Sequence, residues 1–141
     1  MGLLIASCSK DDNFGPDGKR TIEAGALPEQ IQSYITSHFP EQQIVQAIEE
    51  KECKSLEYEV FLSSNYHLEF NTYLYVESID GTAKLPDSVI PESVLNYTQV
   101  NYPNQYIVAW DWEDTYQQVE LNNQMELDFT TSGEFIRIDR D

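Results

Sequence analysis

The stretch "HFPEQQIV" at residues 38–45 returns as "NYPNQYIV" at residues 101–108, an offset of 63. The same offset pairs Pro28 with Pro91, Glu29 with Glu92, Tyr34 with Tyr97 and Ile44 with Ile107. Farther along the offset drops to 59, where Val60 meets Val119, Leu62 meets Leu121, Leu68 meets Leu127 and Phe70 meets Phe129. Order and spacing are kept through a short length change in one loop, as in a tandem duplication.

Each copy begins with a helical pattern. Leu27, Ile31, Tyr34, Ile35 and Phe39 recur at the spacing that puts them on one stripe of an α-helix, and Ile90, Val94, Tyr97, Thr98 and Tyr102 repeat it. Pro28 and Pro91 suit the first turn, and Pro40 and Pro103 stop the helix because the residue before proline avoids the helical region. About three turns are marginal alone in water, so each helix needs a surface to pack on.

The remainder of each copy supplies that surface. "IVQAIEEKE", "LEYEVFLS", "YHLEFNTY" and "LYVESID" are answered by "YIVAWDWED", "QQVELN", "QMELDF" and "EFIRID". Tyr58, Val60 and Leu62 alternate with Glu59 and Phe61, and Met125, Leu127 and Phe129 alternate with Glu126 and Asp128. Period-two alternation joined by polar turns, "LSSNYH" and "ELNNQM", predicts antiparallel hairpins with one buried face. The expected fold is α+β: two tandem units, each a helix followed by four antiparallel strands, in two layers. Residues 25–84 form the first unit and 85–141 the second, their sheets joined edge to edge or closely packed.

The Leu-Pro helix start, the Phe/Tyr-Pro stop and the segments "YEVFL…HLEF" and "QQVELNNQMELDF" resemble the PepSY-like family over roughly residues 25–141. The resemblance implies the fold of the β-lactamase inhibitor protein in tandem, a periplasmic lipoprotein, and a binding or inhibitory module without catalytic residues. The family's turn glycine is Gly133 in "DFTTSGEF"; copy one has Leu74 there, a departure in its last hairpin.

The chain opens "MGLLIASCSKDD". Its apolar run is far too short to span a bilayer, but Ile5-Ala6-Ser7-Cys8 resembles a lipobox, which predicts a lipid on Cys8 and residues 1–8 as a residual signal. Residues 9–24, rich in glycine and charge, read as a flexible tether. Such a protein belongs in a bacterial envelope, touching the membrane only through its anchor. A Cys8–Cys53 bridge is the alternative; with Cys8 lipidated, Cys53 is a lone thiol whose neighbours Glu50 and Glu52 do not activate it.

Composition narrows the partners. With 25 acidic and 8 basic residues the formal net charge is −17, which repels nucleic acid and anionic headgroups. No nucleophile–base motif, phosphate loop or C-x-x-C is present, so no enzyme activity and no cofactor is expected; an envelope enzyme with an unrecognised site is the alternative. His38 and His67 have no second ligand nearby in sequence, so no metal site is expected, and "DWED" at 111–114 reads as a solvated acidic turn. Aromatics are the remaining lead. Strict alternation puts Phe61, Trp110 and Trp112 on the sheet face away from the helices, and Tyr73 and Tyr75 join them as a candidate surface for an unidentified protein or peptide.

Overall fold

The computed structural model describes residues 13–139. Cys8 and residues 1–12, with them the lipobox, lie outside the described residues. Nine strands form a single antiparallel sheet in strict sequence order: β1 (Lys19–Ile22), β2 (Ile44–Glu52), β3 (Ser55–Leu62), β4 (His67–Phe70), β5 (Val76–Asp80), β6 (Ile107–Glu113), β7 (Tyr116–Leu121), β8 (Glu126–Thr130) and β9 (Phe135–Asp139). Helix α1 (Glu29–His38) precedes β2 and helix α2 (Glu92–Asn101) precedes β6. The two halves meet edge to edge where β5 pairs with β6, Ile79 opposite Trp110.

The helix limits follow the prolines. Pro28 and Pro91 stand just before the first helical residue with φ of −51° and −53°. Phe39 and Tyr102 end the helices, their N–H groups donating to Ile35 and Thr98 carbonyls at 2.8 Å. Both helices lie on the same face of the sheet. Ile31 and Ile35 from α1 and Val94 from α2 meet Val60, Leu68, Phe70, Ile79, Val119, Leu127 and Phe129 in one continuous core. Tyr34 stands edge-on to Phe70 and Tyr97 edge-on to Phe129, with centroids 5.6 Å and 5.4 Å apart.

The two copies also agree where the backbone is unusual. Positive φ occurs at Asn65 and Gln124 and at Leu74 and Gly133, pairs that each stand 59 residues apart. A β-bulge interrupts β2 between Ile44 and Gln46, and another interrupts β6 between Ile107 and Ala109, 63 residues on. Leu74 holds φ +67° where its counterpart Gly133 has +92°, so the leucine keeps a left-handed backbone despite its side chain.

One boundary is corrected. Residues 9–24 were expected to be a tether, yet Lys19–Ile22 form β1 and Ala24–Ala26 a 3-10 turn. Beta1 pairs with the outer edge of β2, Arg20 opposite Glu49 and Ile22 opposite Ala47. It caps β2 as β5 caps β6, which satisfies backbone groups that an open edge would leave unpaired. Arg20 adds an ion pair of 3.1 Å to Glu49, a carboxylate that is buried on the helix side.

Candidate functional site

With both helices on one face, the opposite face of the sheet is open, and the strand register decides what it presents. Reading across from β2 to β9, one row runs Ile48, Glu59, Glu69, Ser78, Asp111, Gln118, Asp128 and Arg137. Glu50 and Glu57 face each other in a parallel row. Four of the eight positions in the long row are carboxylates, so the open face is acidic rather than aromatic.

The two ends of this row differ in how their charge is handled. Toward β9, Asp128 is fully buried beneath its partners: Gln118 Nε2 donates to its Oδ1 at 2.8 Å and Arg137 Nε to its Oδ2 at 2.9 Å. Toward β2 the compensation is thin. Lys19 Nζ lies 3.4 Å from Glu59, and Ser78 Oγ donates to Asp111 at 2.6 Å. The Glu57 carboxyl is pushed above its ordinary range by partial burial and then by Glu50, Glu77, Glu52 and Glu69. Glu69 is pushed up mainly by desolvation, with Glu59 and Asp111 adding to it and His67 and Lys19 opposing. Lys19 is raised in turn, chiefly by Glu59 and Glu50. Together these shifts describe a field that favours bound positive charge.

The aromatic candidates separate. Phe61 does lie on the open face, its ring stacked on His67 at 4.3 Å and 3°. Trp110 and Trp112 do not. Both lie on the helix side: Trp110 is 6% exposed, and Trp112 is half-buried against the same core. The bulge between Ile107 and Ala109 supplies the reason. It inserts one residue, so Ile107 and Trp110, three apart, share a face that strict alternation would deny them. Trp110 Nε1 is satisfied by Gln117 Oε1 at 2.9 Å, deep in the core. Tyr73 and Tyr75 belong to neither face. They sit in the 71–75 turn, 78% and 65% exposed, their N–H groups donating to Asn71 Oδ1 at 2.9 and 3.1 Å. This turn stands beside α1, where Gln30 Nε2 donates to the Leu74 carbonyl at 3.2 Å. The five residues therefore form no single surface.

Two sequence expectations about chemistry also change. Cys53 is not a lone thiol but disulfide-bonded, and the sequence holds one other cysteine, Cys8. His67 does gain possible co-ligands, since β3 and β4 bring Glu59 opposite Glu69 beside it; these three offer ligand atoms within 4.8 Å of one another. His38 is committed elsewhere, its Nδ1 2.8 Å from Ser88 Oγ. The 111–114 acids form no such cluster among the described residues. No helix among the described residues is long and apolar enough to cross a membrane.

A nine-stranded antiparallel meander with two helices on one face and an acidic open face defines an α+β protein. The chain belongs to the PepSY-like family, described as "putative beta-lactamase-inhibitor-like, PepSY-like", whose model matches residues 18–78 and 56–137. Solved structures agree. A "putative calcium-regulated periplasmic protein" of Bacteroides thetaiotaomicron is 26% identical with a TM-score of 0.82, covering 89% of this chain and 100% of its own. A periplasmic protein of the DUF2874 family from Bacteroides vulgatus is 25% identical with a TM-score of 0.81, again covering 89% of this chain and 100% of its own. A second periplasmic protein of Bacteroides vulgatus, of unknown function, is 25% identical with a TM-score of 0.80, covering 87% of this chain and 100% of its own. No curated protein matches the chain.

Proposed function

We propose that this protein is a non-enzymatic binding module of the bacterial envelope, and that the acidic open face of its sheet docks a basic segment of a protein or peptide. The carrying observation is the acid cluster of Glu57, Glu59, Glu69 and Asp111, which the Lys19–Glu59 pair at 3.4 Å and the His67–Glu69 approach at 3.9 Å offset only thinly. A cation-bearing partner supplies the missing charge, and the acid row both steers its approach and rejects acidic competitors. The repeat reading belongs to the same proposal: each copy is a helix plus four strands, and the docking charge gathers on copy one and on the β6 strand that adjoins it.

The periplasmic relatives support an envelope location. We further propose a lipid on Cys8. A thioether there and a disulfide are exclusive uses of one sulfur. Mass spectrometry of protein taken from membranes decides between a diacylglyceryl Cys8 with alkylatable Cys53 and an intact disulfide. Partition of wild type but not Cys8→Ala into detergent supports the anchor; a lipid-free, fully disulfide-bonded protein from membranes rejects it.

The docking test compares capture from envelope extract by wild type and by the Glu57→Gln, Glu69→Gln, Asp111→Asn triple variant. Following the calcium regulation in one relative's name, each capture is run with and without Ca²⁺. Partners held by the acidic face are lost from the triple variant and released by salt. Identical capture by both proteins rejects the face as the docking surface.

A further inference from the structure

The cluster of Glu59, His67 and Glu69 lies within the acidic face but has a chemistry of its own. Glu59 and Glu69 are directly opposed on neighbouring strands, and His67 is two residues from Glu69 on the same face. Ligand atoms of the three lie within 4.8 Å of one another. The His67 ring is held by its stack on Phe61. Its Nε2 is shielded from water, yet it has no hydrogen-bond partner among the described residues. The nearest acid oxygen, Glu69 Oε1, stands 3.9 Å away, beyond hydrogen-bond reach. A shielded imidazole nitrogen facing carboxylates without bonding them is costly unless something fills the gap.

Copy two provides an internal comparison. At an offset of 59, Glu59, His67, Glu69 and Ser78 correspond to Gln118, Glu126, Asp128 and Arg137. There the same backbone carries a closed network: Gln118 and Arg137 both donate to Asp128, at 2.8 and 2.9 Å. Copy one replaces the neutral amide by an acid and the arginine by a serine. The result is a pair of facing carboxylates and a shielded imidazole nitrogen, with Lys19 paired to Glu59 at 3.4 Å.

We propose that Glu59, His67 and Glu69 bind a divalent transition-metal ion, with zinc the fitting occupant. Imidazole nitrogen with carboxylate oxygens suits zinc and its neighbours in the first transition row, whereas calcium takes six to eight oxygens and gains little from imidazole. Bonds of roughly 2.0–2.2 Å to a tetrahedral ion put ligands about 3.3 Å apart. Closing from the present spacing falls to the glutamates, because Phe61 fixes the ring while the Glu69 side chain is 47% exposed. Lys19 then leaves Glu59, a small change for a half-exposed surface pair. Three protein ligands leave at least one position for water or for a donor atom of a partner, so the ion can join this face to a second molecule. This goes beyond the docking of a basic segment and stands or falls separately.

The test uses chelator-treated full-length protein titrated with Zn²⁺ by calorimetry, with Co²⁺ as the spectroscopic probe. One Zn²⁺ binds per chain, and His67→Ala, Glu59→Gln or Glu69→Gln each weakens it by more than about tenfold, a loss that disturbing even an outer-shell partner can cause. Glu57→Gln, the neighbouring acid on the same face, leaves Zn²⁺ affinity within about twofold if binding is local. In wild type, Zn²⁺ shifts the His67 Nε2 resonance, a readout that does not depend on any variant folding. The proposal is overturned if Zn²⁺ leaves that resonance in place. It also fails if Glu57→Gln and Glu59→Gln weaken binding equally, or if equimolar Ca²⁺ displaces Zn²⁺, since either result means diffuse attraction to carboxylates.

Discussion

Replacing Gly133 by alanine tests the tightest point of the fold. Gly133 turns β8 into β9 at φ +92°, and a Cβ placed on it would stand 2.6 Å from Ser93 Cβ and 3.2 Å from Ser93 Oγ. Two costs follow. The left-handed backbone disfavours any side chain by about 1–2 kcal/mol. The collision with α2 adds an overpacking cost of about 1–3 kcal/mol, toward the lower end because Ser93 is exposed and its turn can give. Their sum is about 2–4 kcal/mol, or a fall in Tm of roughly 6–15 °C for a chain of this size. Urea unfolding should show a lower midpoint with an unchanged m-value. In a Ser93→Gly background the collision is gone, and Gly133→Ala should cost only the backbone part, about 1–2 kcal/mol. Copy one already shows that the backbone part is bearable: Leu74 holds φ +67° there, beside Gln30 in place of Ser93. An undiminished cost in the Ser93→Gly background, or no cost in wild type, would refute the close approach of α2 to this turn.

Three further outcomes are expected. Burial raises the Tyr34 hydroxyl to about 12; the unfolded chain loses that proton near pH 10, roughly the free tyrosine value, and so binds fewer protons than the native state as pH rises. Stability therefore falls with rising pH between those two values, and Tyr34→Phe should flatten the fall by about one proton in alkaline urea titrations; an unchanged slope would place the tyrosine in water. Glu57, raised by burial and by acid neighbours, costs the native state stability once pH exceeds its unfolded value and returns it as pH falls through the folded one. Glu57→Gln should thus raise Tm at neutral pH in low salt, the gain shrinking in high salt and below the carboxylate range. Trp110→Phe should destabilise by about 1–3 kcal/mol, because it strips the buried Gln117 Oε1 of its donor; a cost no larger than that of Trp112→Phe in parallel urea melts would deny that bond its weight.

What could be read in the sequence was whatever depends on near neighbours. Proline punctuation and i, i+4 spacing placed both helices to within a residue or two, and the turns at 62–67 and 120–125 fell between β3 and β4 and between β7 and β8. The errors share one origin, the pairing between strands. Lys19–Ile22 looks like tether because its four residues carry little pattern; its strand exists only by pairing with β2. Parity along β6 held until the bulge after Ile107, and a one-residue insertion moved both tryptophans to the helix side. The grouping of Glu59 with His67 and Glu69 was invisible because no spacing along the chain encodes which strand positions lie opposite.

The two copies have kept their interior and changed their open face. Val60 and Val119, Leu68 and Leu127, and Phe70 and Phe129 are corresponding pairs, and each member is no more than 2% exposed. On the other side of the same strands Glu59 answers Gln118, Phe61 answers Glu120 and His67 answers Glu126. Packing explains why the first set is held, since a core position loses stability with a single missing methylene. It does not explain the second set, where solubility alone would accept many polar residues. Copy two neutralises Asp128 within the Gln118–Asp128–Arg137 network, while Glu120 and Glu126 face each other in the neighbouring row. At the positions that match this network copy one opposes Glu59 to Glu69 and crowds Glu57 with like charge, an arrangement that lowers the stability of the free protein. Strain of that kind is relieved by a bound cation, whether a metal ion or a basic side chain, and both proposals rest on that relief.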